Sequence, residues 1–160
     1  MQIGRKPNNS QHGYTLLELI LLAIIITVLV GVSTPLFKNT FSDLELKDAS
    51  FNLSRIIGFV QEKAILEGLN FKIVLNADKS LYYISKEDPK RKGIYERLKD
   101  KTGRLFKLPR DVKIKSTVKE ITFYPDGHSQ KASITLTGRT GSVTLNVKGN
   151  MGYVEVKEAR

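Results

Sequence analysis

Three patterns of apolar and polar positions follow one another along the chain. From Leu19 to Phe37 there are 19 consecutive uncharged residues, most of them apolar, which as a helix would measure about 28 Å at 1.5 Å per residue. That approaches the ~30 Å hydrocarbon thickness of a bilayer, so residues 14–37 are predicted to form a membrane-spanning helix. Pro35 lies near its end, where a proline removes one helical hydrogen bond and predicts either a kink or a stop. Beyond it, Ala49, Leu53, Ile56, Ile57, Val60 and Ala64 recur at helical spacing, with Asp48, Asn52, Arg55, Glu62 and Lys63 between them. Residues 38–68 therefore read as an amphipathic helix with one buried stripe, stopped by Gly68.

At Leu69 the period changes to two, and residues 69–160 are predicted to be a β-rich globular domain. Phe71, Ile73 and Leu75 alternate, residues 76–80 turn the chain, and Leu81 to Ile84 returns as a second strand. Residues 86–119 lose clean periodicity and read as a basic, loop-rich excursion, with Val112 to Ile114 as a short strand. Four strands then follow, at Glu120–Tyr124, Ala132–Thr137, Ser142–Lys148 and Tyr153–Val156, separated by glycine-containing turns. The expectation is an antiparallel meander with one buried face. Together these elements predict an α+β fold: a long kinked N-terminal helix packed on a mostly antiparallel β-sheet domain.

One residue breaks the first pattern. Between Lys6 and Lys38 the only formal charge is Glu18. A carboxylate at the centre of a membrane helix costs about 2.5–3.5 kcal/mol on insertion scales, and less near an end, so its retention points to a task. Arg5 and Lys6 precede the apolar run while Lys38 and Asp43 follow it, which places residues 1–13 in the cytoplasm and the rest outside. Three processing routes fit: a plain signal anchor, a secretory signal cut after Ser33 in Gly31-Val32-Ser33, and a prepilin leader.

The residues Gly13, Tyr14 and Glu18, in register with the onset of the apolar run, resemble the class III signal of type IV pilins and pseudopilins. That resemblance implies a leader at 1–13, cleavage after Gly13 by a prepilin peptidase, and N-methylation of Tyr14, where the family mostly has phenylalanine. It implies that residues 14–37 first anchor the subunit and later enter a filament core, with Pro35 at the family's helix bend. It further implies that Glu18 pairs with an N-terminal amine during assembly. Ile121-Thr122-Phe123-Tyr124-Pro125-Asp126-Gly127, a threonine-rich strand and a glycine turn before the last strand look like the C-terminal domain of H-type minor pseudopilins, the GspH/FimT-like group. The implied role is a structural subunit of a type II secretion pseudopilus or a type IV pilus. Its implied partners are prepilin peptidase, other pilins or pseudopilins, an inner-membrane assembly platform and membrane lipid.

Enzyme chemistry finds little purchase. With no cysteine, disulfides, thiolate metal sites and lipid-accepting thiols are excluded. Of two histidines, His12 falls in the leader, and His128 sits beside Asp126 and Ser129 in one tight turn, which cannot converge as a catalytic triad. Neither a metal nor a cofactor is called for by any motif. The net charge of +10 is concentrated: residues 86–119 hold thirteen Lys and Arg against five Asp and Glu. Lys90, Arg91, Lys92, Arg97, Lys99, Lys101, Arg104 and, further on, Arg139 are candidates for contact with nucleic acid or anionic lipid, with Tyr95 and Phe106 available for stacking. A DNA-binding minor pilin acting in DNA uptake is the alternative reading. The resemblance attaches that activity to arginines in the glycine turn before the last strand, and here the turn reads Gly149-Asn150-Met151-Gly152.

The routes differ in the mature N-terminus. Mass measurement and N-terminal sequencing are expected to find methylated Tyr14; a chain beginning at Thr34 would show a secretory signal instead.

Overall fold

The computed structural model describes residues 14–98, 103, 105–149 and 154–159, and inside its helix the side chains of 33–39 lie outside that description. The chain divides into two compact units, Met1–Lys38 and Asn39–Arg160. A single helix, α1 (Leu16–Glu67), contributes to both. In the first unit its residues from Leu19 to Val32 are exposed and, apart from Thr27, apolar. Among the described residues no helix is long and apolar enough to cross a membrane. α1 runs through Pro35, the position of the expected bend, whose side chain lies outside the described ones.

In the second unit α1 has the predicted stripe. Ala49, Leu53, Ile57, Val60 and Ala64 are buried, Leu46 extends the stripe by one turn, and Ile56 packs at its margin. Gly68, at φ +64°, ends the helix in the left-handed region that a side chain would resist.

Among the described residues, nine strands form two antiparallel sheets. The first contains β1 (Phe71–Asn76), β2 (Leu81–Asp88), β3 (Arg91–Arg97), β4 (Phe106–Lys107) and β6 (Glu120–Phe123), in the order β3-β2-β1-β6 with β4 alongside β2. The second contains β5 (Lys113–Ser116), β7 (Ala132–Thr137), β8 (Ser142–Val147) and β9 (Val154–Ala159), in the order β5-β7-β8-β9. Phe71, Ile73, Ile84, Ile121 and Phe123 from the first sheet and Ile134, Leu136, Leu145 and Val147 from the second join the helix stripe in one apolar cluster.

Two expectations change. Glu120–Phe123 does not open a meander but leaves for the first sheet, where Phe123 faces Phe71 and Ile121 faces Ile73 in register with β1. Alternation reports which face of a strand is buried, not which strand lies beside it, so the crossover was silent. Second, the segment 86–119 is less loop-rich than expected. β2 runs on to Asp88, and β3 pairs back on it through Lys86↔Glu96 and Glu87↔Tyr95. The sequence concealed β3 because nearly all of it is exposed and Ile94 is its only aliphatic side chain, leaving no apolar alternation to read.

Polar contacts pin the helix to the sheets at several points. Buried Gln61 donates through Nε2 to the Gly127 carbonyl at 2.6 Å, fixing the turn after β6. Near its start in this unit, Leu46 packs under Gly138 and Asp43 accepts from Thr140 in the β7–β8 turn. At its end Glu67 receives Lys86 of β2 at 2.6 Å and Lys63 at 3.0 Å. The Lys86 hydrogen bond, reinforced by that from Lys63, holds the Glu67 carboxyl below its ordinary 4.5. A carboxyl with a depressed folded-state pKa stabilises above the unfolded value, and that stabilisation is lost as pH falls through the folded one. Lys86→Met is therefore expected to melt lower than the parent at pH 7, with the gap closing once the pH is taken well below 4.5; parallel thermal melts at pH 7 and pH 2.5 check this.

Candidate functional site

The N-terminal end of α1 is built from four consecutive residues. Thr15 stands one position before the helix, and its Oγ1 accepts the backbone N–H of Glu18 at 3.3 Å while its carbonyl accepts that of Leu19 at 3.2 Å. Thr15 is thus the N-cap, and Thr15-Leu16-Leu17-Glu18 has the threonine-x-x-glutamate spacing of a capping box. Glu18 also lies in the first turn, where the aligned peptide dipoles favour a negative charge. A negative charge at that position favours the start of the helix whatever its partner. Sequence reasoning singled out Glu18 and passed over Thr15, although the box was there to be read. Tyr14, immediately before the cap, is 77% exposed. Gly13 lies outside the described residues.

Of the described basic candidates, four lie on the β2–β3 hairpin and one, Arg139, in the β7–β8 turn. Arg91, at the start of β3, meets Asp88 at 2.7 Å and Glu96 at 3.3 Å, so much of its charge is answered within the hairpin. Asp88 itself is held below its ordinary pKa, first by the Lys90 backbone N–H and then by Arg91. Gly93 donates its N–H to Glu87 at 2.7 Å, which fixes the same hairpin from the other side. Lys90 and Lys92 flank Arg91 at the tip and Arg97 ends β3, all three exposed or nearly so. Arg139 is remote in sequence and bonds Asp111 at 3.1 Å. Lys99, Lys101 and Arg104 lie outside the described residues.

Neither aromatic ring named for stacking presents two open faces. Phe106 is stacked on Tyr82 with centroids 5.0 Å apart. The ammonium of Lys72 sits 4.0 Å over the Tyr95 ring while also bonding Glu120 at 2.7 Å. That hydrogen bond raises the Lys72 pKa, and burial raises that of the Tyr95 phenol, so both keep their protons at neutral pH.

The turn after β6 is structural in its hydrogen bonding. Asp126 accepts the His128 N–H at 2.9 Å, and the two side chains stand 3.3 Å apart and well exposed. Among the described residues no group of three or more His, Asp and Glu is arranged to hold a metal ion. A groove of about 760 Å³ between α1 and the β4 region is lined by Asp48, Asn52, Arg55, Phe59, Tyr82 and Phe106, among others. It brings Asp48 and Arg55 close to apolar side chains but no base beside a nucleophile.

No protein-family model and no curated protein matches the sequence. Solved structures do. The minor pseudopilin EpsH from the type 2 secretion system of Vibrio cholerae aligns with a TM-score of 0.59 at 12% identity, over 72% of this chain and 96% of that one. GspH of E. coli aligns at 0.60 with 12% identity, over 73% and 90%. The type IV minor pilin FimU of Pseudomonas aeruginosa aligns at 0.54 with 16% identity, over 74% and 95%. The chain has the type IV pilin-like, GspH/FimT-type fold, and the expected α+β architecture is observed.

The cap is open to direct measurement. Thr15→Val removes the acceptor at constant shape and is expected to cost the first turn about 1 kcal/mol. The Glu18 amide should then exchange with solvent about fivefold faster, as read by hydrogen exchange on the detergent-solubilised chain.

Proposed function

We propose that this chain is a minor pilin or pseudopilin, a non-enzymatic structural subunit of a type II secretion pseudopilus or a type IV pilus. The observation that carries the reading is Glu18: a carboxylate in the first turn of α1, directly before 19 uncharged residues, in a chain whose globular unit has the fold of minor pseudopilins. A cap alone accounts for an acid at that position, but not for the glycine and the aromatic residue held in register before it.

In this reading prepilin peptidase removes residues 1–13, and Tyr14 becomes an N-methylated terminus. Residues 14–37 hold the subunit in the inner membrane as a single pass, with residues 1–13 inside and the globular domain outside. During assembly the helix leaves lipid for the filament core. There Glu18 pairs with the α-amine of Tyr14, its own or a neighbour's. An ammonium and a carboxylate that neutralise each other in low dielectric are tolerated, whereas either alone is costly, so the pair selects one axial position.

DNA capture has less support. Arg91 and Arg139 face carboxylates, and both candidate stacking rings are engaged within the chain.

Comparing two substitutions separates pairing from capping. Glu18→Gln keeps the capping-box side chain and removes the charge, while Glu18→Ala removes both. Both variants are expected to reach the membrane fraction normally and to be recovered in sheared filaments at least about tenfold less than the parent, the loss expected when a buried pair is broken. Full incorporation of Glu18→Gln would remove the pairing role.

A further inference from the structure

The turn after β6 contains the chain's one Asp-Gly pair, Asp126-Gly127, and the chain has no Asn-Gly. In such a pair the glycine nitrogen can attack the aspartate side chain, because no Cβ crowds the approach. The Gly127 nitrogen would bond to Asp126 Cγ, the hydroxyl of the neutral carboxyl would leave as water with the amide proton, and a cyclic imide would close. Water then opens the imide. Attack at the side-chain carbonyl restores aspartate, whereas attack at the main-chain carbonyl leaves isoaspartate, with one extra methylene in the backbone.

Each group that this reaction needs is already engaged. Gly127 donates its N–H to the Tyr124 carbonyl at 3.1 Å, which closes the turn. The Asp126 carboxylate accepts the His128 N–H at 2.9 Å, and that bond, before any other influence, holds its pKa below the ordinary 3.8. An ionised carboxyl has no hydroxyl to lose. Asp126 and His128 are exposed, but Gly127 between them is buried. The Gly127–His128 peptide is held at both ends: its N–H by Asp126, and its carbonyl by Gln61 Nε2 at 2.6 Å. Gln61 belongs to α1 and is itself buried, so the peptide that restrains the carboxylate is restrained by the helix.

We propose that Asp126-Gly127 is a latent site of isoaspartate formation, and that Gln61 guards it by fixing the peptide that holds the Asp126 side chain. Closing the imide turns the Asp126–Gly127 peptide out of the turn and opens the bonds to Tyr124 and His128. The rate therefore follows the fraction of time that the turn is undocked from the helix. The product deepens the opening that produced it. An added methylene displaces the Gly127 carbonyl from Gln61 and puts the Phe123–Ser129 bridge, which spans the turn, out of register. The helix then loses a buried hydrogen bond to the turn, and Gln61 is left with an unmatched amide.

The test incubates the full-length, detergent-solubilised chain at neutral pH, digests it, and separates aspartate from isoaspartate peptides, which have equal mass but elute apart. The folded parent is expected to convert Asp126 at least about tenfold more slowly than the same chain unfolded in urea. Gln61→Met keeps the length without a donor, and Gln61→Asn keeps the amide one methylene short. Each is expected to convert about fivefold faster than the parent while still folded by circular dichroism, which is the net worth of one hydrogen bond. His128→Pro removes the N–H that holds Asp126 at an exposed position, leaves the core untouched, and should accelerate conversion similarly. Folded Gln61 variants that convert at the parental rate would overturn the guard, as would a parental rate in His128→Pro. A folded parent as fast as the urea-unfolded chain would overturn the protection of the site altogether.

Discussion

One buried helical stripe organises the globular unit. Leu53, Ile57 and Val60 are fully buried and meet the inner faces of two sheets that differ in strand order and number. Each such side chain gains about 1.5–3 kcal/mol on leaving water, so the apolar surface of both sheets is satisfied by one element. The polar contacts depend on that packing. Gln61, Asp43 and Glu67 reach their partners in three separate loops and strands because the helix between them is already fixed along its length.

The helix is two-sided in consequence. Its inward stripe is spent on the core, whereas Phe41 and Phe51 stand exposed on its other side, with Arg55 over the Phe51 ring. In the first unit there is no such division, since the residues from Leu19 to Val32 are uncharged on every face and apolar but for Thr27. A helix that is apolar on every face needs an apolar surrounding. Some surface charges elsewhere are matched locally, as in the Asp88–Arg91–Glu96 hairpin and the Asp111–Arg139 pair.

The sequence exposed the elements whose burial is one-sided. The helix stripe, β1 and the strands β7 and β8 each show a period that matches their buried face. What it concealed follows from the same physics. β3 has no buried face and so no apolar signal, and β6 has the right alternation but gives no hint of the neighbour it chooses. At the N-terminus the anomaly of Glu18 was plain, while its cap partner Thr15 was hidden by ordinariness, a threonine before a run of leucines. In the basic segment only Lys86 and Arg91 of the described cations meet carboxylates, so most of its positive charge stays on the surface.

The order of these parts along the chain bears on how the fold is reached. The helix stripe precedes every strand it packs against, and Gln61 waits for a carbonyl 66 residues later. Its other partners arrive later still, with Leu145 and Val147 near the C-terminus. Contacts so distant in sequence form slowly, because the loop must close before the contact rewards it. Until β8 has emerged, the core around the apolar stripe of α1 lacks Val143, Leu145 and Val147. A chain of this order therefore carries an incompletely covered apolar stripe through much of its synthesis, and closes it only with its last strands.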